Sequence, residues 1–316
     1  MTDSTLDIKL RNIPLEYRSK LTIPSKVNFG LELELDKINY DEIYHLVRKQ
    51  FGSNWRIKTD KSLTDGQNAE IVSPVLQNTK QTWILLKKLG GLLEQINPSY
   101  DNCSFQVNFD GKLLPGLEDK VRFLKLFAMY EDIIYRFSKG EDLEYRESLE
   151  IYASPIILAL KGALSIGSAS AVEMFSDNKR YGVVFKNGNR NLIEVRTPNA
   201  TSNPILWQNY ITTFYYLLKF STSNKYNKRE VDKYIDDFYK IYLLEGYELE
   251  KRDKALKFSN MLFTHSVDQI FFMHQYLGED YKSKEKFGSY MDTLNKEKDA
   301  KVLRRSGGRI NTTNRA

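Results

Sequence analysis

Glu32, Glu34, Glu70, Gln106, Asn108, Glu194 and Arg196 are polar residues set into otherwise apolar, strand-like stretches of the chain. Carboxylate and amide oxygens are hard donors of the kind magnesium takes, and a guanidinium forks onto phosphate or carboxylate oxygens. The most regular of these stretches is Val27-Asn28-Phe29-Gly30-Leu31-Glu32-Leu33-Glu34-Leu35. Successive side chains of a strand point to opposite faces, so Leu31, Leu33 and Leu35 share one face while Glu32 and Glu34 lie on the other, roughly 6–7 Å apart. Gly30, just ahead of them, leaves room for a ligand or another backbone to approach. Two glutamates on a strand equally describe a solvated outer face, and the pair alone does not decide between the two.

The elements needed to position these residues can be read from periodicity. After Leu35, Ile43, Leu46, Val47 and Phe51 recur at helical spacing over 41–51, with Asp41 near the helix start. A short strand over 55–58, a turn-rich loop over 59–66 and a strand over 69–73 closed by Pro74 form a hairpin. Residues 83–96 carry the apolar stripe of a helix that packs on one sheet face. Cys103, Phe105, Val107 and Phe109 alternate with Ser104, Gln106, Asn108 and Asp110, giving a strand with one apolar and one polar face. A single long helix is expected over 120–138, and 139–180 is expected to be less regular. Strands over 181–185 and 191–196 flank Asn187-Gly188, a hairpin signal. An apolar helix follows over 205–220, then helices over 230–244, 254–263 and 267–277, in which Tyr234, Phe238, Ile241 and Tyr242 read as packing residues of an appendage. The expected division is an arm over 1–24, a catalytic domain over 25–222, a helical appendage over 223–295 and a basic, disordered tail over 296–316.

Composition narrows the function classes. The chain has 316 residues, 41% of them apolar and 28% charged, which is ordinary for a globular protein with a sizeable core. No stretch reaches the length and apolarity of a membrane span, and Met1-Thr2-Asp3-Ser4 lacks a basic-then-apolar leader, so a cytoplasmic protein is expected. Cys103 is the single cysteine, which excludes an internal disulfide and a thiolate zinc site. His45, His265 and His274 are too dispersed in the sequence to suggest a triad or a histidine metal site. The net charge of +6 is almost all in the tail: residues 296–316 hold seven Lys/Arg against two acidic groups, leaving 40 basic and 39 acidic residues in the rest. A solvated tail is the plain reading, and no specific nucleic-acid partner is expected.

Gly30-Leu31-Glu32-Leu33-Glu34, Asp60-Lys61-Ser62-Leu63, Glu70-Ile71-Val72-Ser73-Pro74, Gln106-Val107-Asn108-Phe109-Asp110 and Ile193-Glu194-Val195-Arg196-Thr197-Pro198-Asn199-Ala200-Thr201 occur in that order. Together they resemble the amidoligase family of carboxylate-amine ligases with a glutamine-synthetase-like fold. The resemblance covers about 27–220 and has a looser match at Arg146, Tyr152 and Pro155. It implies an α+β fold with a curved, mostly antiparallel sheet flanked by helices, holding ATP and magnesium. It further implies Glu32, Glu34, Glu70 and Glu194 as metal ligands and Arg196 as a phosphate-binding arginine. Asp60 and Ser62 match the family's loop motif, with a turn-forming role as the alternative. Arg196, Glu34 and Glu194 are thereby expected to carry the chemistry, and Asp60, Ser62, Gln106, Asn108, Arg190 and Arg196 to contact the nucleotide.

One position departs from the family. Where a His-x-His-x-Asp pattern is usual, this chain has Gln106, Asn108 and Asp110. Amide oxygens can ligate magnesium or bind nucleotide, so the departure bears on the second metal position and not on the glutamates. The implied reaction is ATP-dependent amide formation through an acyl phosphate, with small-molecule or peptide amine and carboxylate substrates and a cell-wall-type amine among the possible acceptors. Lys58, Lys61, Lys186 and Arg190 are further candidates for phosphate or carboxylate contacts, or plain surface charges. Two other classes stay open on sequence: a catalytically silent ligand-binding protein of the same fold, and a metal-dependent nuclease using the carboxylates with Lys58.

Overall fold

The computed structural model describes residues 16–60, 62–63, 67–140, 146–188, 191–238 and 251–277. Lys61, Arg190, Ile241, Tyr242, most of the 1–24 arm and the 296–316 tail lie outside the described residues. Tyr17–Tyr276 form one compact unit; Met1–Glu16 with Leu277–Ala316 form a second, nearly all of it outside the described residues.

The alternating stretches pair into a seven-stranded antiparallel sheet, and the fold is α+β. Its strands are β1 (Asn28–Asp36), β2 (Arg56–Lys58), β3 (Asn68–Val72), β4 (Leu76–Gln77), β5 (Phe105–Asp110), β6 (Val183–Lys186) and β7 (Leu192–Val195). The order is β2-β3-β1-β5-β7-β6, with β4 paired to the start of β1. The chain's most regular alternation therefore lies in the sheet interior, between β3 and β5. The hairpins expected from the loops after Lys58 and Lys186 are present as β2–β3 and β6–β7.

One face of the sheet is the core. Phe29, Leu31, Leu33, Leu35, Phe105, Val107, Phe109, Ile193 and Val195 are all buried. Against this face lie α2 (Lys80–Ile96) and α8 (Pro204–Ser221). Phe29 stacks on Trp83 with ring centres 5.7 Å apart, and Phe105 on Trp207 at 5.7 Å and 6° between planes. Each helix starts on a capping side chain: Thr79 accepts from the Thr82 N–H, and Asn203 accepts from Ile205 ahead of Pro204 at the first turn. The earlier α1 (Tyr40–Phe51) is capped in the same way by Asn39.

Two expectations need correction. The helix expected over 120–138 is broken at Tyr130 into α3 (Leu117–Met129) and α4 (Glu131–Ser138). Two buried acids follow the break: Glu131 accepts from the N–H groups of Ile156 and Ile157, while Asp132 holds Lys251 and Lys254. The region after 139 is also more ordered than its sequence suggests, with α5 (Leu149–Tyr152), α6 (Ile157–Leu164) and α7 (Ser168–Met174). These helices are too short for periodicity to register.

Beyond 222, α9 (Lys228–Asp236), α10 (Arg252–Leu262) and α11 (Ser266–Leu277) pack on the helical layer of the same unit. Lys125 pairs with Asp232, Arg136 donates to the Tyr276 carbonyl, and Gln275 donates to the Phe137 carbonyl. The helix expected over 230–244 starts earlier, at Lys228, and its described part ends at Asp236.

Phe105 joins the sheet core to α8 directly beneath Gln106. Phe105→Ala is expected to cost about 3–5 kcal/mol of unfolding free energy, measured by urea denaturation. A loss under about 1 kcal/mol would mean that the aromatic stack does not anchor the sheet.

Candidate active site

Register decides which side chains meet. Residues directly opposite in an antiparallel pair share a face. Lys58 lies opposite Glu70, Glu70 opposite Glu34, Glu32 opposite Gln106, and Asn108 opposite both Gly30 and Glu194. The polar positions of β1, β2, β3, β5 and β7 thus occupy one face, the one turned away from α2 and α8. Arg196 follows β7 on the same face as Glu194, and Lys186 enters from β6.

This polar face is covered rather than solvated. Glu34, Glu70, Gln106, Asn108, Glu194 and Arg196 are buried, and Glu194 has no exposed surface. Buried charge requires partners, and each has them. Glu34 accepts from the Ser104 N–H at 2.6 Å and from Gln106 Nε2 at 3.0 Å. Glu32 accepts from Asn108 Nδ2 at 3.0 Å and Lys186 Nζ at 3.4 Å. Lys58 Nζ lies 2.9 Å from Glu70 and 3.8 Å from Glu32. Glu194 is held between Lys186 and Arg196, the latter at 2.8 Å.

Arg196 is fixed by three bonds. Its Nε donates to the Tyr152 carbonyl at 3.0 Å, and its Nη1 to Gln106 Oε1 and Glu194 Oε1 at 2.8 Å each. Nη2 has no partner among the described residues. Behind it the buried Arg146 binds the carbonyls of Arg196, Thr197 and Pro198 at 2.7, 3.0 and 2.9 Å, which fixes the backbone leaving β7. The looser sequence match at Arg146 and Tyr152 thus coincides with the support of Arg196.

Two cavities open on this face. The larger, about 800 Å³, is lined by Gly30, Glu32, Asn108, Lys112, Lys179 and Lys186 with Val72, Pro74, Val75 and Leu192 as its apolar wall. The smaller, about 200 Å³, is lined by Glu34, Asp60, Ser62, Ser104, Arg146, Ser148, Tyr152, Lys179 and Arg196. The residues expected at the nucleotide are therefore divided: Asn108 lines the larger cavity, while Asp60, Ser62 and Arg196 line the smaller. Gln106 bridges Glu34 and Arg196 between them. Asp60 also forms the turn that its sequence allowed, its Oδ1 accepting from Ser62 N–H at 2.8 Å and Ser62 Oγ at 2.6 Å. Gly30 lines the larger cavity, though a Cβ there would make only ordinary contact, 3.7 Å from Asn108 Cβ.

The donor types suit a divalent cation, since all are oxygens and a buried one, Asn108 Oδ1, lacks a hydrogen-bond donor. The four glutamates are not gathered round one point, however: among the described residues no three acidic, histidine or cysteine groups are grouped to hold a metal. Glu34 and Glu194 are committed to protein partners, and ammonium groups stand beside Glu32, Glu70 and Glu194. Sequence reasoning did not single out Ser104, Ser148, Lys112 or Lys179. Ser104 was findable, because it precedes Gln106 by two in the same alternating strand; the others come from irregular segments that carry no period.

Burial and the adjacent Glu32 carboxyl push the Glu70 carboxyl up to about 8, against the pull of Lys58. Burial also opposes ionisation of Glu32, but Glu70, Lys186, Lys58 and Asn108 outweigh it and hold that carboxyl below its ordinary range. Glu34 is raised by burial, partly offset by Ser104 and Arg146. Glu32 and Glu70 therefore share a proton at neutral pH.

No family model matches the chain, and no curated protein matches it. Among solved structures it is similar to a bifunctional glutathione synthetase from Pasteurella multocida, with a TM-score of 0.50 and 12% identity. The match covers 98% of this chain and 52% of that one, so this chain spans about half its length. At that identity the likeness is one of fold. Among the described residues no helix is long and apolar enough to cross a membrane.

The shared proton has a measurable sign. Glu70 has a folded pKa above its unfolded one, so stability is intact below the ordinary carboxylate range and falls as pH rises through about 8. In metal-free buffer, Glu70→Gln removes that loss, and its melting temperature relative to the parent should climb between about pH 5 and about pH 9. A difference that stays flat across the range would mean that the pair holds no shared proton.

Proposed function

We propose that the chain is an ATP-dependent carboxylate-amine ligase of glutamine-synthetase-like fold. The observation that carries this reading is the polar sheet face itself, on which glutamates from β1, β3 and β7, amides from β5 and Arg196 meet between a nucleotide-sized cavity and a smaller one. The larger cavity falls within the roughly 300–1,000 Å³ typical of small-molecule sites. The smaller holds about seven waters' worth of volume at ~30 Å³ each, enough for a small acid or amine. The motif order in the sequence supports the same reading, as does the fold likeness to a glutathione synthetase.

A carboxylate is a poor electrophile, and oxide or hydroxide is a poor leaving group. In the proposed reaction a carboxylate oxygen attacks the γ-phosphorus of ATP, the bond to the β-bridging oxygen breaks, and ADP leaves. The amine then attacks the acyl carbon of the resulting acyl phosphate, loses a proton to solvent, and orthophosphate departs with the electron pair of the C–O bond. Arg196 would serve both halves: three of its bonds go to protein, and Nη2 would hold the carboxylate or the migrating phosphoryl group in the smaller cavity. Glu34 holds Gln106 and the Ser104 backbone, and through Gln106 holds Arg196. Lys112, Lys179 and Lys186 line the larger cavity, where polyphosphate would lie. Magnesium would be held by Glu32, Glu70 and Asn108, and would supply charge neutralisation on the phosphates.

The silent-binder reading has one observation in its favour: Gln106 and Asn108 are both engaged in internal bonds, to Glu34, Arg196 and Glu32. Incubation with magnesium, ATP and panels of acids and amines separates the two. Ligase activity appears as ADP release that depends on both partners, and Arg196→Lys, which keeps the charge and loses the fork, should reduce it on the order of 100-fold. Nucleotide binding without ADP release under any panel points to the silent binder. No detectable binding of ATP at millimolar magnesium would end the ligase reading and favour a silent binder of another ligand.

A further inference from the structure

We infer that Lys186, supported by Lys58, is a resident counter-ion that occupies the cation position on the carboxylate floor and leaves it when a metal-bound phosphate ligand enters. The inference rests on the proposed function for the phosphate ligand, but not for the competition between lysine and metal.

The four cations of the floor differ in how firmly they are held. The Arg146 guanidinium lies wholly inside on backbone carbonyls, and the Arg196 side chain is 7% exposed on three bonds. The Lys186 and Lys58 side chains are 25% and 52% exposed, reach in on four-carbon stems, and contact the floor only through Nζ. Lys186 touches both Glu32 and Glu194, so it bridges carboxylates from two strands as a divalent ion would. It also lines the larger cavity, so its ammonium can swing to another anion without leaving the site.

The acceptors exceed what these ammonium groups satisfy. Asn108 Oδ1 is buried without a donor, in a residue 6% exposed that lines the larger cavity, and Glu70, 3% exposed, has beyond Lys58 only the proton it shares with Glu32. A doubly charged ion that takes several oxygens suits such a surplus better than a lysine does. In the absence of phosphate, however, a free metal must compete with a tethered ammonium at high effective concentration and leave it unpaired beside the cavity. A metal that arrives with phosphates gives the displaced Lys186 a new anionic partner. Metal and nucleotide must therefore bind with positive coupling, each tightening the other by the same factor.

The test uses the full chain with manganese as the probe, read by electron paramagnetic resonance with and without ATP. The parent protein should bind manganese weakly alone and at least about tenfold more tightly with ATP. Lys186→Met should bind manganese alone at least about tenfold more tightly than the parent, and ATP should add less to it. Lys186→Arg, which keeps the charge, should behave as the parent. A folded Lys186→Met protein with parental manganese affinity overturns the inference; if that variant does not fold, Lys58→Met is read by the same criterion. The two proposals fail separately. Tight manganese binding by Lys186→Met with no nucleotide binding leaves the counter-ion and ends the ligase reading, whereas nucleotide binding with manganese affinity indifferent to this residue does the reverse.

Discussion

Carboxylates set against one sheet face and largely withdrawn from water repel each other and strain to become neutral unless cations or N–H donors reach them. The arrangement around the polar face follows from that requirement. Glu32, Glu34, Glu70 and Glu194 are set against Lys58, Lys186, Arg146 and Arg196, and the remaining tension is relieved by a proton between Glu32 and Glu70. The division of labour among the cations is steric: the guanidiniums use their fixed forks to define backbone and side-chain geometry, and the lysines use their length.

The opposite face makes this possible. Phe29 on Trp83 and Phe105 on Trp207 clamp β1 and β5 to two helices, so the strands bearing Glu32, Glu34, Gln106 and Asn108 have a rigid base. A shift of one residue in either strand would exchange its two faces, sending the glutamates of β1 or the amides of β5 into an aromatic core. The apolar side thereby enforces the placement of the acidic one.

Alternation made the strands, their two faces and the sorting of Leu31 from Glu32 legible in the sequence, because a period of two is local. Register is not local: nothing in the sequence near Glu34 says that Glu70 lies opposite, although the motif order suggested that these strands belong together. The break at Tyr130 was hidden because Glu131 and Asp132 are good first-turn residues whose partners, Ile156, Ile157, Lys251 and Lys254, are far along the chain. Lys186 read equally as a surface charge, since only the fold puts Glu32 and Glu194 within its reach. Asp60 and Ser62 joined the smaller cavity for the same reason: their turn was evident, its destination was not.

The bonds from Arg146 to the backbone beyond β7 join residues 50–52 positions apart, and that from Gln106 to Glu34 spans 72. Contacts of that span form only after large loops have closed, and the stacks of Phe29 on Trp83 and Phe105 on Trp207 on the opposite face, 54 and 102 positions apart, wait on the same closure. A nascent or partly unfolded chain would then expose its acidic strands before their cations arrive, and mutual repulsion at that stage discourages those strands from pairing with the wrong neighbours.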